Sequence, residues 1–314
     1  MKKFALTGIA GYIAPRHLKA IKDTDNTLIA GFDPFDSVGI LDSYFPNTHF
    51  FVEFERFDRH LDKLRRQGEG VDYVTICSPN YLHDAQIRFA LRNGAHAICE
   101  KPLVLNPWNI DALLDLQKEF EKKIYTVLQL RLHPEIIKLK NRVEQSPAKI
   151  YDIDLTYITS RGKWYDYSWK GDIAKSGGVA TNIGIHFFDM LTWIFGDFIN
   201  CKVFVRELHR MSGFLQLKNA NVRWFLSIDS NDLPLNIKEK EQRTFRSINI
   251  DGNEVEFSEG FTDLHTETYR RILEGKGFSP EESKTSIEIV HNLRNQPLAS
   301  KGDTHPLGTT KKDS

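Results

Sequence analysis

Hydrophobic and polar positions follow two different rhythms along this chain of 314 residues, and the rhythm changes near residue 130. In the first part, short apolar runs feed stretches whose apolar residues recur three and four apart, the mark of strands turning into amphipathic helices. Phe4-Ala5-Leu6-Thr7 passes through a glycine turn into a helical pattern containing Leu18 and Ile21. Further strand-like runs follow at Thr27–Phe32, Phe50–Val52, Asp72–Cys77, Ala95–Cys99 and Ile124–Gln129, separated by helical patterns. Six alternations, with helices long enough to cross between parallel neighbours, predict a doubly wound α/β domain over residues 1–130.

The second part alternates with a period of two. Lys149–Ile158 does so for most of its length, and runs at 202–206, 214–217, 222–228, 246–250 and 254–257 repeat the character, with polar turns such as Asp251-Gly252-Asn253. These predict an α+β domain over residues 131–298 with an open, largely antiparallel sheet, closed by helices near 262–273 and 280–295. A sheet with one uncovered face needs a partner, so a homo-oligomer is expected. Residues 299–314 are polar and carry Gly and Lys, the composition of a loose tail.

Composition narrows the field. Lys plus Arg equals Asp plus Glu at 42 each, so no general field steers the protein to nucleic acid or an anionic membrane. The chain contains no apolar run long enough to span a bilayer, and its start enters a glycine turn too soon for a signal peptide. Cys77, Cys99 and Cys201 form neither a CxxC nor a metal-ligand spacing. The expected setting is reducing and cytoplasmic, with no metal.

Candidate chemistry gathers at strand ends. Gly8-Ile9-Ala10-Gly11-Tyr12-Ile13-Ala14 reads G-x-x-G-x-x-A, a variant of the turn that presents backbone N–H groups to a pyrophosphate. Asp33 ends the next strand, near the offset at which a carboxylate accepts ribose hydroxyls and repels a 2′-phosphate, which favours NAD over NADP. Its plainer role is to cap the turn before Pro34. Ser78 and Asn80 follow the strand ending at Cys77, where Asn80 is also a natural helix N-cap. Glu100-Lys101-Pro102 sets a lysine where strand gives way to loop, with the Lys101-Pro102 bond free to be cis or trans. A solvated surface turn accounts for the tripeptide equally well. Gln129 and Arg131 close the domain at the same edge.

In the second half, Gly177-Gly178 leads into a helical stretch on which Asn182, His186, Asp189 and Trp193 fall within an arc of roughly 60°. An amide, an imidazole and a carboxylate on one face form a constellation suited to proton transfer, although a lone helical histidine is usually a core residue. No second His or Cys stands four residues after His186, which argues against zinc. The stretch 156–171 interleaves Arg161, Lys163 and Lys170 with Tyr157, Trp164, Tyr165, Tyr167 and Trp169. Such a cluster can grip phosphate and stack a base, or form a structural loop.

Together the glycine turn, Glu100-Lys101-Pro102 and the Gly-Gly-to-His-to-Asp helix resemble the glucose-fructose oxidoreductase, inositol dehydrogenase and rhizopine-catabolism (Gfo/Idh/MocA) family in order and spacing. Ala10–His17, Cys77–Tyr81, Thr156–Lys170 and Phe257–His265 look like its WlbA/WbpB branch, the UDP-N-acetyl-glucosaminuronate (UDP-GlcNAcA) 3-dehydrogenases of surface-polysaccharide synthesis. The resemblance implies an NAD-binding Rossmann domain, an open-faced second domain and a tetramer assembled through its sheets. It implies oxidation of the sugar C3 hydroxyl, in O-antigen synthesis toward a diacetamido-mannuronate, with 2-oxoglutarate a candidate for recycling NADH. A glycosidase-type use of NAD and a non-catalytic sensor are the alternatives on this fold. By this likeness Lys101, His186 and Asn182 are catalytic, Asn182 standing where many relatives carry aspartate. Gly8, Gly11, Tyr12, Ile13, Asp33, Ser78, Asn80, His83, Glu100, Lys101, Gln129, Trp169 and Lys170 hold the cofactor. Arg131, Tyr157, Arg161, Trp164, Ser168 and Lys170 join the catalytic three around the substrate.

Overall fold

The computed structural model describes residues 1–255 and 263–308. Two units emerge, Met1–Leu132 with Thr262–Lys284, and His133–Phe261 with Thr285–Ser314. The return of 262–284 to the first unit differs from the continuous division read from periodicity, because a returning helix has the same apolar spacing whichever unit it packs on.

The first unit is built on β1 (Lys3–Thr7), β2 (Thr27–Phe32), β3 (His49–Phe51), β4 (Tyr73–Ile76), β5 (His96–Cys99) and β6 (Ile124–Thr126). All pairings are parallel, in the order β3-β2-β1-β4-β5-β6. The strand order reverses between β1 and β4, and the crevice at their carboxyl ends is where such sheets take ligands. Strands covered on both faces need apolar residues at successive positions, as Phe4-Ala5-Leu6 and Tyr73-Val74-Thr75-Ile76 supply. Helix Leu264–Leu273 adds Tyr269 and Ile272 to the core containing Phe4, Leu6, Leu18 and Ile21.

The second unit carries β7 (Tyr151–Thr159), β8 (Phe198–Arg206), β9 (Arg210–Leu217), β10 (Ala220–Ser227), β11 (Thr244–Ile250) and β12 (Asn253–Glu254), in the order β12-β11-β7-β10-β9-β8. Only the β7–β10 pair is parallel among the described strands of this sheet. The run expected over 254–257 is described as strand only to Glu254, and 256–257 lie outside the described residues. Helix Ile185–Phe195 covers one face, with Phe188 edge-on to Trp224 at 5.4 Å and Phe195 against Tyr151 at 5.5 Å.

The other face is partly covered, by a small apolar cluster and by the segment expected to be a loose tail. Ile158, Phe225 and Leu233 bury one another there, with Ile237 and Phe245 packed around them. The supposedly loose tail is laid down as far as residue 308. Ala299 N–H bonds Val203 O at 2.8 Å, Asp303 pairs with Arg223, and the buried His305 stands 2.9 Å from Thr156 Oγ1 with its ring stacked on Phe225. Few of these residues are hydrophobic, so the segment is held by specific polar partners that composition does not reveal. No helix among the described residues is long and apolar enough to cross a membrane.

Candidate active site

The glycine turn is forced by backbone contact. Gly8 has φ of +79°, and a Cβ there would stand 2.5 Å from the Cys77 carbonyl carbon, so the end of β1 lies directly against the end of β4. Gly11 N–H donates to Gly8 O at 3.0 Å, and helix Ala14–Asp23 starts three residues on without a side-chain cap. Tyr12 is exposed, and Ile13 packs on the core. Asp33 is buried and accepts from Ala10 N–H and Phe35 N–H, each at 3.0 Å. It therefore caps its own turn and braces the glycine loop, while each oxygen retains capacity to accept a hydroxyl. This cradle fits a dinucleotide: uncapped N–H groups stand at a helix start, and a wall admits no side chain.

At the next strand end, Ser78 Oγ and Thr7 Oγ1 both donate to Gln86 Oε1, at 2.7 and 2.6 Å. Gln86, unsuspected from sequence, thus ties β1 to the loop after β4. Asn80 is buried in a short 3-10 turn, Asn80–Leu82, and Leu82 occupies the N-cap of helix His83–Arg92. His83 stands between two loops. It is buried, and its ring nitrogens stand 2.7 Å from Pro102 O and 2.9 Å from Ser78 O, joining two loops.

Glu100 is buried at the end of β5 rather than solvated in a turn. Its Oε1 meets His17 Nε2 at 2.9 Å and His265 Nε2 at 3.1 Å, while Lys101 N–H donates to Oε2 at 3.2 Å. Lys101 is half-buried, and its bond to Pro102 is cis. His17 and His265 sit in segments that carried the family resemblance, yet no role was legible for either. Arg131 has partners within the first unit. It is 6% exposed, donates to Glu282 Oε1 at 3.1 Å and Glu282 O at 2.9 Å, and lies over the Phe278 ring. A buried guanidinium needs such pairing, and the contacts tie Arg131 to 278–282. Gln129 opens the turn Gln129–Leu132 and is half-buried.

In the second unit, Asn182 lies on a π-helical turn, Ala180–Gly184, immediately before helix Ile185–Phe195. The wider turn breaks the regular 100° phase on which the polar arc was drawn. Asn182 Nδ2 donates to Tyr165 Oη at 2.6 Å. Asp189 is only 2% exposed and belongs to the interior, whereas His186 is half-buried. The His186 ring lies edge-on to Tyr157 at 5.9 Å and against Phe187 at 4.3 Å. Arg246, on β11 directly across from Tyr157, holds its guanidinium 5.5 Å from the Tyr157 ring centre and 6.0 Å from that of Phe187. Sequence inspection missed this cation, because one arginine in an alternating strand reads as a solvent-facing position.

The aromatic and basic stretch folds as a cluster. Lys170 Nζ lies over the Trp164 and Trp169 rings at 5.4 and 5.5 Å. Ser168 Oγ donates to Tyr165 O at 2.8 Å and accepts from Lys170 N–H at 3.3 Å, bonds that form a turn. Arg161 and Lys163 line a cavity of about 170 Å³ with Tyr165, Asp166, His209 and Asp229.

A parallel sheet with a backbone cradle at its switch point, a carboxylate at the second strand end and a lysine at the fifth define the class: a dinucleotide-binding oxidoreductase domain joined to an α/β domain. The chain belongs to the Gfo/Idh/MocA oxidoreductase family, matching its NAD-binding Rossmann-fold domain over residues 2–128 and its C-terminal α/β domain over residues 148–230. The WlbA (WbpB) dehydrogenase from Thermus thermophilus, solved with NAD and alpha-ketoglutarate, is 53% identical, covering 98% of this chain and 99% of its own, with a TM-score of 0.94. Solved with NAD and UDP-GlcNAcA, the Thermus thermophilus enzyme is 52% identical with the same coverage and TM-score. Inositol 2-dehydrogenase from Rhizobium meliloti (strain 1021) is 27% identical over 201 residues, and the match spans 62% of this chain and 55% of that relative's length.

Proposed function

We propose that this protein oxidises the C3 hydroxyl of UDP-GlcNAcA to a 3-keto sugar, using NAD, in O-antigen synthesis toward a 2,3-diacetamido-mannuronate. The observation that carries this reading is the 52% identity across 98% of the chain to a dehydrogenase solved with NAD and that nucleotide sugar. When bound, NAD supplies the hydride acceptor. The chain's residues do the rest. Gly8 and Gly11, whose own N–H groups donate to Phe32 O and Gly8 O, shape the turn that brings the start of helix Ala14–Asp23 to the pyrophosphate, and Asp33 accepts the ribose hydroxyls. Lys101 and His186 share the O3 proton, and Asn182, held by Tyr165, orients the hydroxyl. Lys170 and Arg161 meet the diphosphate, with Tyr157, Trp164 and Trp169 as ring surfaces. Arg246, lying over Tyr157 beside His186, supplies a cation for the uronate carboxylate.

Alpha-ketoglutarate in a close relative supports 2-oxoglutarate as the acceptor that discharges NADH. The working form is a cytoplasmic homotetramer; sedimentation giving monomer alone at micromolar concentration would reject the assembly. Incubation with NAD and UDP-GlcNAcA, with and without 2-oxoglutarate, tests the activity through NADH absorbance and product mass. The expected product is the substrate less two hydrogens, with turnover sustained by the 2-oxo acid. Unchanged substrate mass under both conditions overturns the reading.

A further inference from the structure

Among the described residues, the groups that hydrogen-bond the Glu100 carboxylate come from different stretches of the first unit. His17 extends from helix Ala14–Asp23, His265 from helix Leu264–Leu273, and the Lys101 N–H from the chain itself. Behind His17, Nδ1 stands 2.9 Å from Tyr269 Oη, which in turn lies 2.8 Å from Thr75 Oγ1 on β4. Exposure is 0% for His17, Tyr269 and Thr75, 3% for His265 and 7% for Glu100, so none of these contacts exchanges freely with water. One proton assignment satisfies them all. Thr75 O–H donates to Tyr269, Tyr269 O–H to His17 Nδ1, and both imidazole Nε2–H groups to Glu100 Oε1. A chain of donors that begins at a hydroxyl inside a strand leads nowhere a proton can escape, so it fixes rather than conducts.

We infer that His17, His265 and Tyr269 are positioning residues that clamp Glu100, so that the Glu100–Lys101 peptide, and with it the Lys101 ammonium, is held for proton transfer. This rests on the reading of Lys101 as a group acting on the reacting alcohol. Glu100 cannot swing away without leaving two imidazole donors buried and unmet. Burial alone would raise its pKa, but the bonds from His17 and His265 outweigh that and hold the carboxyl well below its ordinary range. Burial keeps His17 below its own ordinary value, so the partners are a carboxylate and a neutral imidazole. Cys77, Cys99, His83 and Tyr269 also face this charge, and both thiols are pushed up by burial and then by Glu100. The ligand atoms of His17, Glu100 and His265 lie within 4.8 Å of one another, a spacing that would also admit a cation. Protons on both Nε2 atoms leave no lone pair to bind one.

The test compares His265→Ala, His265→Gln and Tyr269→Phe in kcat, KM for UDP-GlcNAcA, NAD dissociation constant and the pH profile of kcat. His265→Ala should lose about tenfold to a hundredfold in kcat through a displaced reacting group. Its KM and NAD binding should stay within about threefold, since no ground-state contact is lost. The acid limb should move up, because a carboxylate short of one donor protonates more readily. His265→Gln, which restores an N–H, should recover most of the loss, and Tyr269→Phe should shift kcat the same way by less. Wild-type kcat and pH limb in all three variants, equal impairment of the Ala and Gln variants, or a stoichiometric divalent ion in protein purified without chelator would overturn the clamp. If the unaltered enzyme fails to oxidise UDP-GlcNAcA, the functional reading fails separately. The clamp is then read from the infrared carboxylate band of Glu100, assigned against Glu100→Gln. That band should protonate nearer the ordinary range in His265→Ala, and an unmoved band rejects it.

Discussion

Side chains that touch the reacting alcohol should separate from those that merely bind. Lys101→Ala and His186→Ala are each expected to lower kcat by about two to four orders of magnitude, the usual contribution of positioned proton transfer, with NAD affinity retained in titration. Arg246→Met keeps the apolar stem over Tyr157 and Phe187 but removes the charge, so KM for UDP-GlcNAcA should rise by about tenfold or more while the NAD dissociation constant holds. Gly8→Ala places a methyl group on the Cys77 carbonyl and forces a left-handed conformation that alone costs at least about 1 kcal/mol. Both NAD affinity and the thermal midpoint should fall. Gly8, Asp33, Glu100 and Lys101 were legible in the sequence because each stands at a strand end with a local reason to be there. His17, His265 and Tyr269 were not, since the His17–Tyr269 contact spans 252 positions and a buried histidine has no period. The pairing of Arg131 was hidden for the same reason, its partner Glu282 lying 151 positions away.

At the scale of elements, strands announced themselves through alternation, whereas the π-turn Ala180–Gly184 and the course of residues 299–308 did not. Both depend on contacts outside their own segment. Gly177, with φ of +80° and a Cβ position 2.7 Å from the Thr181 side chain, fixes the entry to that turn but leaves no periodic trace. The 299–308 segment carries its own pH sensor in His305. Leu307 N–H donates to its Nδ1 at 3.1 Å, so the proton resides on Nε2 and is directed at Thr156 Oγ1. A second proton on Nδ1 would confront the Leu307 N–H, and burial lowers the pKa from 6.5 to about 4. The unfolded segment binds that proton already near pH 6.5, the packed one only near pH 4. The stabilising contribution is therefore complete above about pH 6.5 and lost as pH falls toward 4, amounting to roughly 3 kcal/mol at most. Hydrogen exchange should show protection of backbone amides around 299–308 at pH 7.5 and progressive loss by pH 4.5. His305→Asn should flatten that dependence.

Across the whole molecule, the order of the chain and the order of the units disagree, with consequences for how the protein can be divided. The first unit takes its sheet from residues before 132 and part of its core from residues after 262. Tyr269 and Ile272 are essentially fully buried in that core, and burying two side chains of this size contributes on the order of 3–6 kcal/mol. Removing helix Leu264–Leu273 also takes one buried hydrogen-bond partner each from Thr75, His17 and Glu100, each loss costing about 1–3 kcal/mol. Those sums rival the total stability of a domain of this size. A fragment ending at residue 132, where the sequence rhythm changes, should therefore be unfolded or expanded, with exposed apolar surface and no NAD-dependent thermal shift. The same fragment joined by a flexible linker to residues 262–284 should recover a cooperative melt that NAD raises, since a ligand binding only the folded form stabilises it. Differential scanning fluorimetry of the two fragments, with and without NAD, decides the matter. A cooperative, NAD-responsive melt from residues 1–132 alone would show that the returning helix is dispensable to the dinucleotide-binding unit.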